Sequence, residues 1–117
     1  MADLEIATRE RPGVAVVALT GELDIAHTGA VEQALLAAEE GRRQLIVLDL
    51  RGLTFIDSSG LRVALEADMR ARREARRLVI VRGSEAVHRV FLIALLDKRL
   101  EFVDEVPPAE GSGGDGA

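Results

Sequence analysis

The chain has no cysteine, tryptophan or tyrosine, three phenylalanines, two histidines and a single lysine, Lys98. Without cysteine there is no disulfide, no thiolate nucleophile and no cysteine-ligated metal. Two histidines cannot close a structural zinc site by themselves, and His27 and His88 stand on different elements with no ligand spacing. The scarcity of rings leaves an almost wholly aliphatic core. Positive charge does not dominate either: 15 basic residues face 20 acidic ones, a formal net charge of −5. That balance argues against a general affinity for nucleic acid or an anionic membrane. No stretch approaches the roughly 18 to 20 continuous apolar residues of a membrane span. The acidic start, Met1-Ala2-Asp3-Leu4-Glu5, lacks the basic-then-apolar pattern of a signal peptide. The expectation is a cytoplasmic protein with no membrane insertion.

What is present suffices for one domain. A chain of 117 residues, 48% hydrophobic and 30% charged, hides roughly two-thirds of its unfolded surface. Leu4, Ile6 and Thr8 alternate with Glu5 and Arg9, which predicts a half-exposed strand. Pro12-Gly13 turns the chain into a second, more buried strand over Val14–Thr20, and so short a turn favours an antiparallel hairpin. Gly21–His27 reads as a loop or short extension. A helix follows over about Thr28–Glu40, with Val31, Ala34, Leu35 and Ala38 in one stripe, Thr28 as N-cap and Gly41 as the C′ residue.

Leu45–Leu50 is a buried strand, parallel to the second strand through a right-handed crossover. Arg51-Gly52 then reads as a turn. A second helix runs from Ser58 to about Arg77, with Leu61, Ala64, Leu65 and Met69 inward. Leu78–Val81 is another buried strand. Ser84 caps a third helix whose inner face is Val87, Val90, Phe91, Ala94 and Leu95, and Phe102-Val103 closes as a short edge strand. The fold class is α/β: a mixed, mostly parallel sheet of four to five strands with about three to four helices. The domain occupies residues 1–106, and 107–117 has the composition of a flexible tail.

The most informative string is Phe55-Ile56-Asp57-Ser58-Ser59-Gly60-Leu61, where a buried strand meets a helix start. Asp57 is a natural N-cap, and Ser58 then stands in the first turn at the solvent rim. Two readings of these residues are open. One is a cap followed by small residues that permit close packing. The other is a place for a phosphoryl group, because free amides and the helix dipole favour an anion.

Other features weigh less. Arg70–Arg77 (RARREARR) admits a nucleic-acid or phospholipid patch, but a solvated helix end fits better, with Glu66–Arg70 and Asp68–Arg72 spaced for i, i+4 pairs. No aromatics interleave to stack bases. There is no G-x-S-x-G elbow, nothing sets a histidine beside Ser58, and no phosphate-binding loop precedes a lysine.

The strings Leu19-Thr20-Gly21-Glu22-Leu23-Asp24, Leu48-Asp49-Leu50 and Phe55 to Leu61, in that order, resemble the STAS domain, and more narrowly the bacterial anti-sigma factor antagonists. The resemblance runs from Leu4 to about Val106. It implies a non-enzymatic regulator that needs no cofactor of its own. Ser58 falls on the serine phosphorylated in that family, and Asp57 on the acid before it. Asp24 falls on an acidic residue in the facing loop, and Ser59 and Gly60 on the adjoining hydroxyl and glycine. Together these five residues form the implied partner surface. The implied partners are a GHKL-type anti-sigma factor serine kinase and a PP2C-type phosphatase. A second role the family takes is that of a STAS subunit or scaffold in sensory complexes or in membrane lipid or anion transport. One departure stands out: Leu95-Leu96-Asp97 occupies the place of a Gly-Leu-Asp that follows the third helix in many antagonists, which implies a different end to that helix. The C-terminal fourth helix of the family has little support in the glycine-rich tail.

Overall fold

The computed structural model describes residues 3–108. Five strands and three helices follow in the order β1 (Leu4–Arg11), β2 (Val14–Leu23), α1 (Thr28–Glu40), β3 (Leu45–Ile56), α2 (Ser58–Arg73), β4 (Arg77–Val81), α3 (Glu85–Ile93) and β5 (Phe102–Val103). They form one five-stranded sheet in spatial order β1-β2-β3-β4-β5. Only β1–β2 is antiparallel; the other three pairs are parallel. Pro12-Gly13 makes the hairpin, with Gly13 at φ +78°, a conformation that favours glycine. This is the mixed α/β sheet that the patterning predicts.

Alternate residues sort the sheet into two faces. Ala15, Val17 and Leu19 of β2, Ile46, Leu48 and Leu50 of β3, and Leu78 and Ile80 of β4 pack against all three helices in one cluster. Val14, Val16, Val47 and Val81 point the other way, where Leu45, Val103 and Val106 join them without any helix. Val31, Leu35 and Ala38 are the buried stripe of α1. On α2 the buried stripe centres on Ala64, Ala67 and Ala71. These short side chains let the helix lie close to the sheet, and they turn Met69 outward to 40% exposure, against the inward position expected for it.

Both central strands are longer than their apolar runs. β2 continues through Gly21 (φ +115°) to Leu23, and β3 runs straight through Arg51-Gly52, so the expected turn is absent. Two register shifts against β2, between Ala18 and Thr20 and between Gly21 and Glu22, each add one residue to β3. Such bulges let the strand re-aim without ending. As a result Leu50, Leu53 and Ile56, spaced by three instead of two, all enter the helix-side core.

Helix ends differ most from expectation. His27, not Thr28, is the N-cap of α1, and it makes no side-chain cap bond. Gly41 keeps an ordinary φ of −73°, while Arg42 takes the left-handed position at φ +57°. α2 stops at Arg73, short of Arg77, with Ala75 at φ +57°. Ion pairs take up most of the basic stretch Arg70–Arg77. Arg70 binds Glu39 of α1 at 3.0 Å instead of Glu66, Arg72 binds Asp68 at 2.7 Å, and Arg77 pairs with Glu101. Ser84 Oγ caps α3 by accepting the Val87 amide, as its position predicts.

α3 ends at Ile93, and Ala94 and Leu95 are exposed instead of inward. The apolar run Val90–Leu96 is unbroken, so a helix end cannot bury all of it. Leu95, 80% exposed, itself adopts the left-handed stop at φ +62° that glycine would take without strain. Leu95→Gly is therefore expected to stabilise the protein by about 0.5–1 kcal/mol, net of the glycine's larger unfolded-chain entropy. A thermal melt should show Tm rising by a few degrees; an unchanged or lower Tm would mean that the leucine packs usefully where it stands.

There is no fourth α-helix among the described residues. The expected tail falls mostly on 109–117, outside the described residues. No helix among the described residues is long and apolar enough to cross a membrane.

Candidate functional site

β2 and β3 end side by side at the carboxyl edge of the sheet, Glu22 opposite Phe55 and Leu23 opposite Ile56. The Asp57 amide then donates to the Leu23 carbonyl at 3.3 Å. That bond ties the loop after β2 to the opening of α2, and Asp24 and Ser58 each lie one residue beyond it. Gly60 allows the helix to come this near. A Cβ there would stand 2.7 Å from Ile56 Cγ1 and 2.9 Å from Leu23 Cγ.

Asp57 is the N-cap of α2, in extended backbone at φ −118°. Its Oδ1 accepts from the amides of Ser59 at 3.0 Å and Gly60 at 3.3 Å, and also from the Ser59 hydroxyl. The Ser59 hydroxyl bond is the main cause holding the Asp57 carboxyl below its ordinary range; the two amides act in the same direction, against partial desolvation. Ser59 and Gly60 are buried, Asp57 is half-buried, and Ser58 is exposed. Of the two readings open for Asp-Ser-Ser-Gly, the cap is real and occupies Asp57 and Ser59. It leaves Ser58 as the hydroxyl that faces water.

The facing loop is equally well built. Asp24 Oδ1 accepts from the Ala26 amide at 3.1 Å and lies 2.8 Å from His27 Nδ1. The His27 amide donates to the Asp24 carbonyl, and Thr28 Oγ1 donates to the Ile25 carbonyl at 3.1 Å. This turn feeds α1 and pushes Ile25 out to 72% exposure. Phe55, the penultimate residue of β3, is 44% exposed. Ile25 lies in a segment with no sequence signal beyond that of a loop, and Phe55 opens the Asp57-Ser58 string without any sign in the sequence that its ring is exposed.

A family model described as "Mlab, STAS domain" matches residues 6–104. The chain belongs to the STAS domain family. Among similar proteins, the anti-sigma F factor antagonist of Paenibacillus polymyxa is 33% identical over 104 residues, spanning 87% of this chain and 88% of that protein. The anti-sigma-F factor antagonist RsfB of Mycobacterium tuberculosis is 25% identical over 92 residues, 79% of this chain and 75% of that one. The crystal structure of an anti-sigma factor antagonist from Mycobacterium paratuberculosis matches this STAS domain with a TM-score of 0.81 at 25% identity, covering 89% of this chain and 88% of that one. The STAS domain thus carries, at one edge of its sheet, an exposed serine at a capped helix start and an ordered acidic loop joined to it through Leu23 and Asp57.

Proposed function

We propose that this STAS domain is an anti-sigma factor antagonist whose unphosphorylated form binds a GHKL-type anti-sigma factor kinase and so releases a sigma factor. Phosphorylation at Ser58 ends that binding, and a PP2C-type phosphatase restores it. The observation that carries the reading is the exposure of Ser58 beside buried Ser59, on a helix start linked to the Asp24 loop. Likeness to antagonists over nearly their whole length supports it.

In the transfer, Ser58 Oγ attacks the γ-phosphorus of the kinase's ATP, the bond to the β,γ-bridging oxygen breaks, and ADP leaves. The hydroxyl proton needs an acceptor. Asp57 Oδ1 is already engaged by two amides and the Ser59 hydroxyl, and Asp24 Oδ1 by the Ala26 amide and His27. Those engagements favour a base supplied by the kinase, with this chain contributing a positioned hydroxyl. They also leave the added phosphate little of the helix terminus, since Asp57 has taken two of its amides.

The test is mass spectrometry after mixing the protein with a GHKL kinase and ATP. The unaltered protein should gain phosphate on the peptide bearing Ser58. Ser58→Ala should gain none, yet bind the kinase within a factor of about two, because it removes one hydroxyl and brings no charge into the contact. Normal phosphorylation of Ser58→Ala would overturn the assignment.

A further inference from the structure

Asp49 is a carboxylate within a buried strand, only 6% exposed, and nothing in the transfer chemistry uses it. It stands where β3 changes neighbours. At Asp49 the strand still pairs on both sides, with Ala18 of β2 and Val81 of β4. Beyond it β4 has ended, and β3 continues to Ile56 beside β2 alone. The register also slips here. Ala18 faces Asp49 and Thr20 faces Gly52, so Leu50 and Arg51 together oppose Leu19.

A bulge of this kind takes a backbone amide out of the ladder. Asp49 Oδ1 accepts the Arg51 amide at 3.0 Å, and the Arg51 guanidinium folds back onto both carboxylate oxygens at 3.0 and 2.9 Å. Gly52 lets the strands close again, since a Cβ there would stand 2.7 Å from Thr20 Oγ1 and 2.8 Å from the Leu19 carbonyl oxygen.

We propose that Asp49 is a positioning residue for Ser58, because its carboxylate clasps the bulge that sets how β3 reaches past the sheet and where α2 opens. The inference rests on Ser58 being the phosphoacceptor. Its physical basis is parity: a strand turns over a face with each residue. Leu53 and Ile56 share the helix-side core with Leu50 only because one residue is absorbed in each interval. If the first bulge slips, the second must compensate or Ile56 leaves the core. Ile56 immediately precedes the Asp57 cap and lies under Gly60.

Two variants test it. Asp49→Asn keeps an oxygen to accept the Arg51 amide, while Asp49→Leu fills the space with no acceptor. In the leucine variant the Arg51 amide should lose hydrogen-exchange protection and the amide resonances of Asp57 to Gly60 should move. Phosphoryl transfer to Ser58 at saturating protein should slow by about tenfold to a hundredfold, as for a misplaced reacting group. The asparagine variant should keep a protected Arg51 amide and transfer within about threefold of normal. A folded leucine variant with unmoved resonances from Asp57 to Gly60 would overturn the proposal. So would an asparagine variant whose Arg51 amide exchanges freely while Ser58 reacts normally, whether or not the leucine variant folds. If the unaltered protein takes no phosphate, the reading of Ser58 fails, while the resonances still judge the clasp.

Discussion

Ser58→Asp is expected to weaken binding to the anti-sigma kinase by roughly a hundredfold or more, with little change in folding stability. The two effects separate because Ser58 is exposed and occupies the first position of α2. For the free protein, an acid at that position is mildly favourable toward the helix dipole, by about 0.3–1 kcal/mol. Repulsion from the neighbouring Asp57 opposes it, but water screens exposed charges. In a complex that covers the edge, the new carboxylate loses its water and finds Asp57, already ionised and capped, beside it. An unpaired charge taken out of water costs several kcal/mol, and each 1.4 kcal/mol is a factor of ten in affinity. A phosphoserine, with about −1.5 to −2 charges at neutral pH, should act in the same direction and more strongly. Calorimetric titration of Ser58→Asp against the kinase, beside a thermal melt, checks both halves. Normal affinity in a folded protein would remove the switch from Ser58.

The Asp57 cap and the exposed place of Ser58 were legible in the sequence for a local reason, since the capping acid, the first-turn hydroxyl and the glycine two residues later are written in consecutive residues. So were the hairpin at Pro12-Gly13 and the cap at Ser84. The choice of Ser58 as phosphoacceptor is implied by the resemblance alone. What the sequence does not reveal is decided by distant contacts. Arg51-Gly52 looks like a turn because bulges break the period-two pattern, and only the β2 partner reveals that the strand goes on. Met69 fits an inward stripe until the three alanines of α2 settle against the sheet and rotate it outward. Leu95 reads as core because it is apolar, although the chain must reverse there and a left-handed residue at a helix stop faces water. Asp49 was visible as part of a motif, but its bond to the Arg51 amide two residues on becomes meaningful only beside the bulge.

The exposed side chains around Ser58 lead to the other large effect. Ile25→Ala is expected to weaken kinase binding by about thirtyfold, while Ile93→Ala leaves it unchanged within about twofold. The pair is matched: the same residue type, 72% and 75% exposed, and the same atoms removed. Neither change should cost much folding stability, because little is buried in the free protein. Their places differ. Ile25 follows Asp24 in the loop tied to the opening of α2, whereas Ile93 ends α3, which runs from the carboxyl end of β4 back toward the opposite edge of the sheet. A partner that covers Ser58 must also cover its surroundings. An isoleucine held up by the Asp24 turn, with Phe55 at 44% exposure on the neighbouring strand, can fill a pocket at the centre of such a contact. Truncating an anchor of that kind typically costs about 2 kcal/mol, which is the thirtyfold expected. Equal losses for Ile25→Ala and Ile93→Ala, or none for Ile25→Ala, would place the contact elsewhere. Phosphorylation of Ile25→Ala should show the loss in KM with kcat nearly unchanged, since the side chain helps to bind the partner and touches neither the hydroxyl nor its cap.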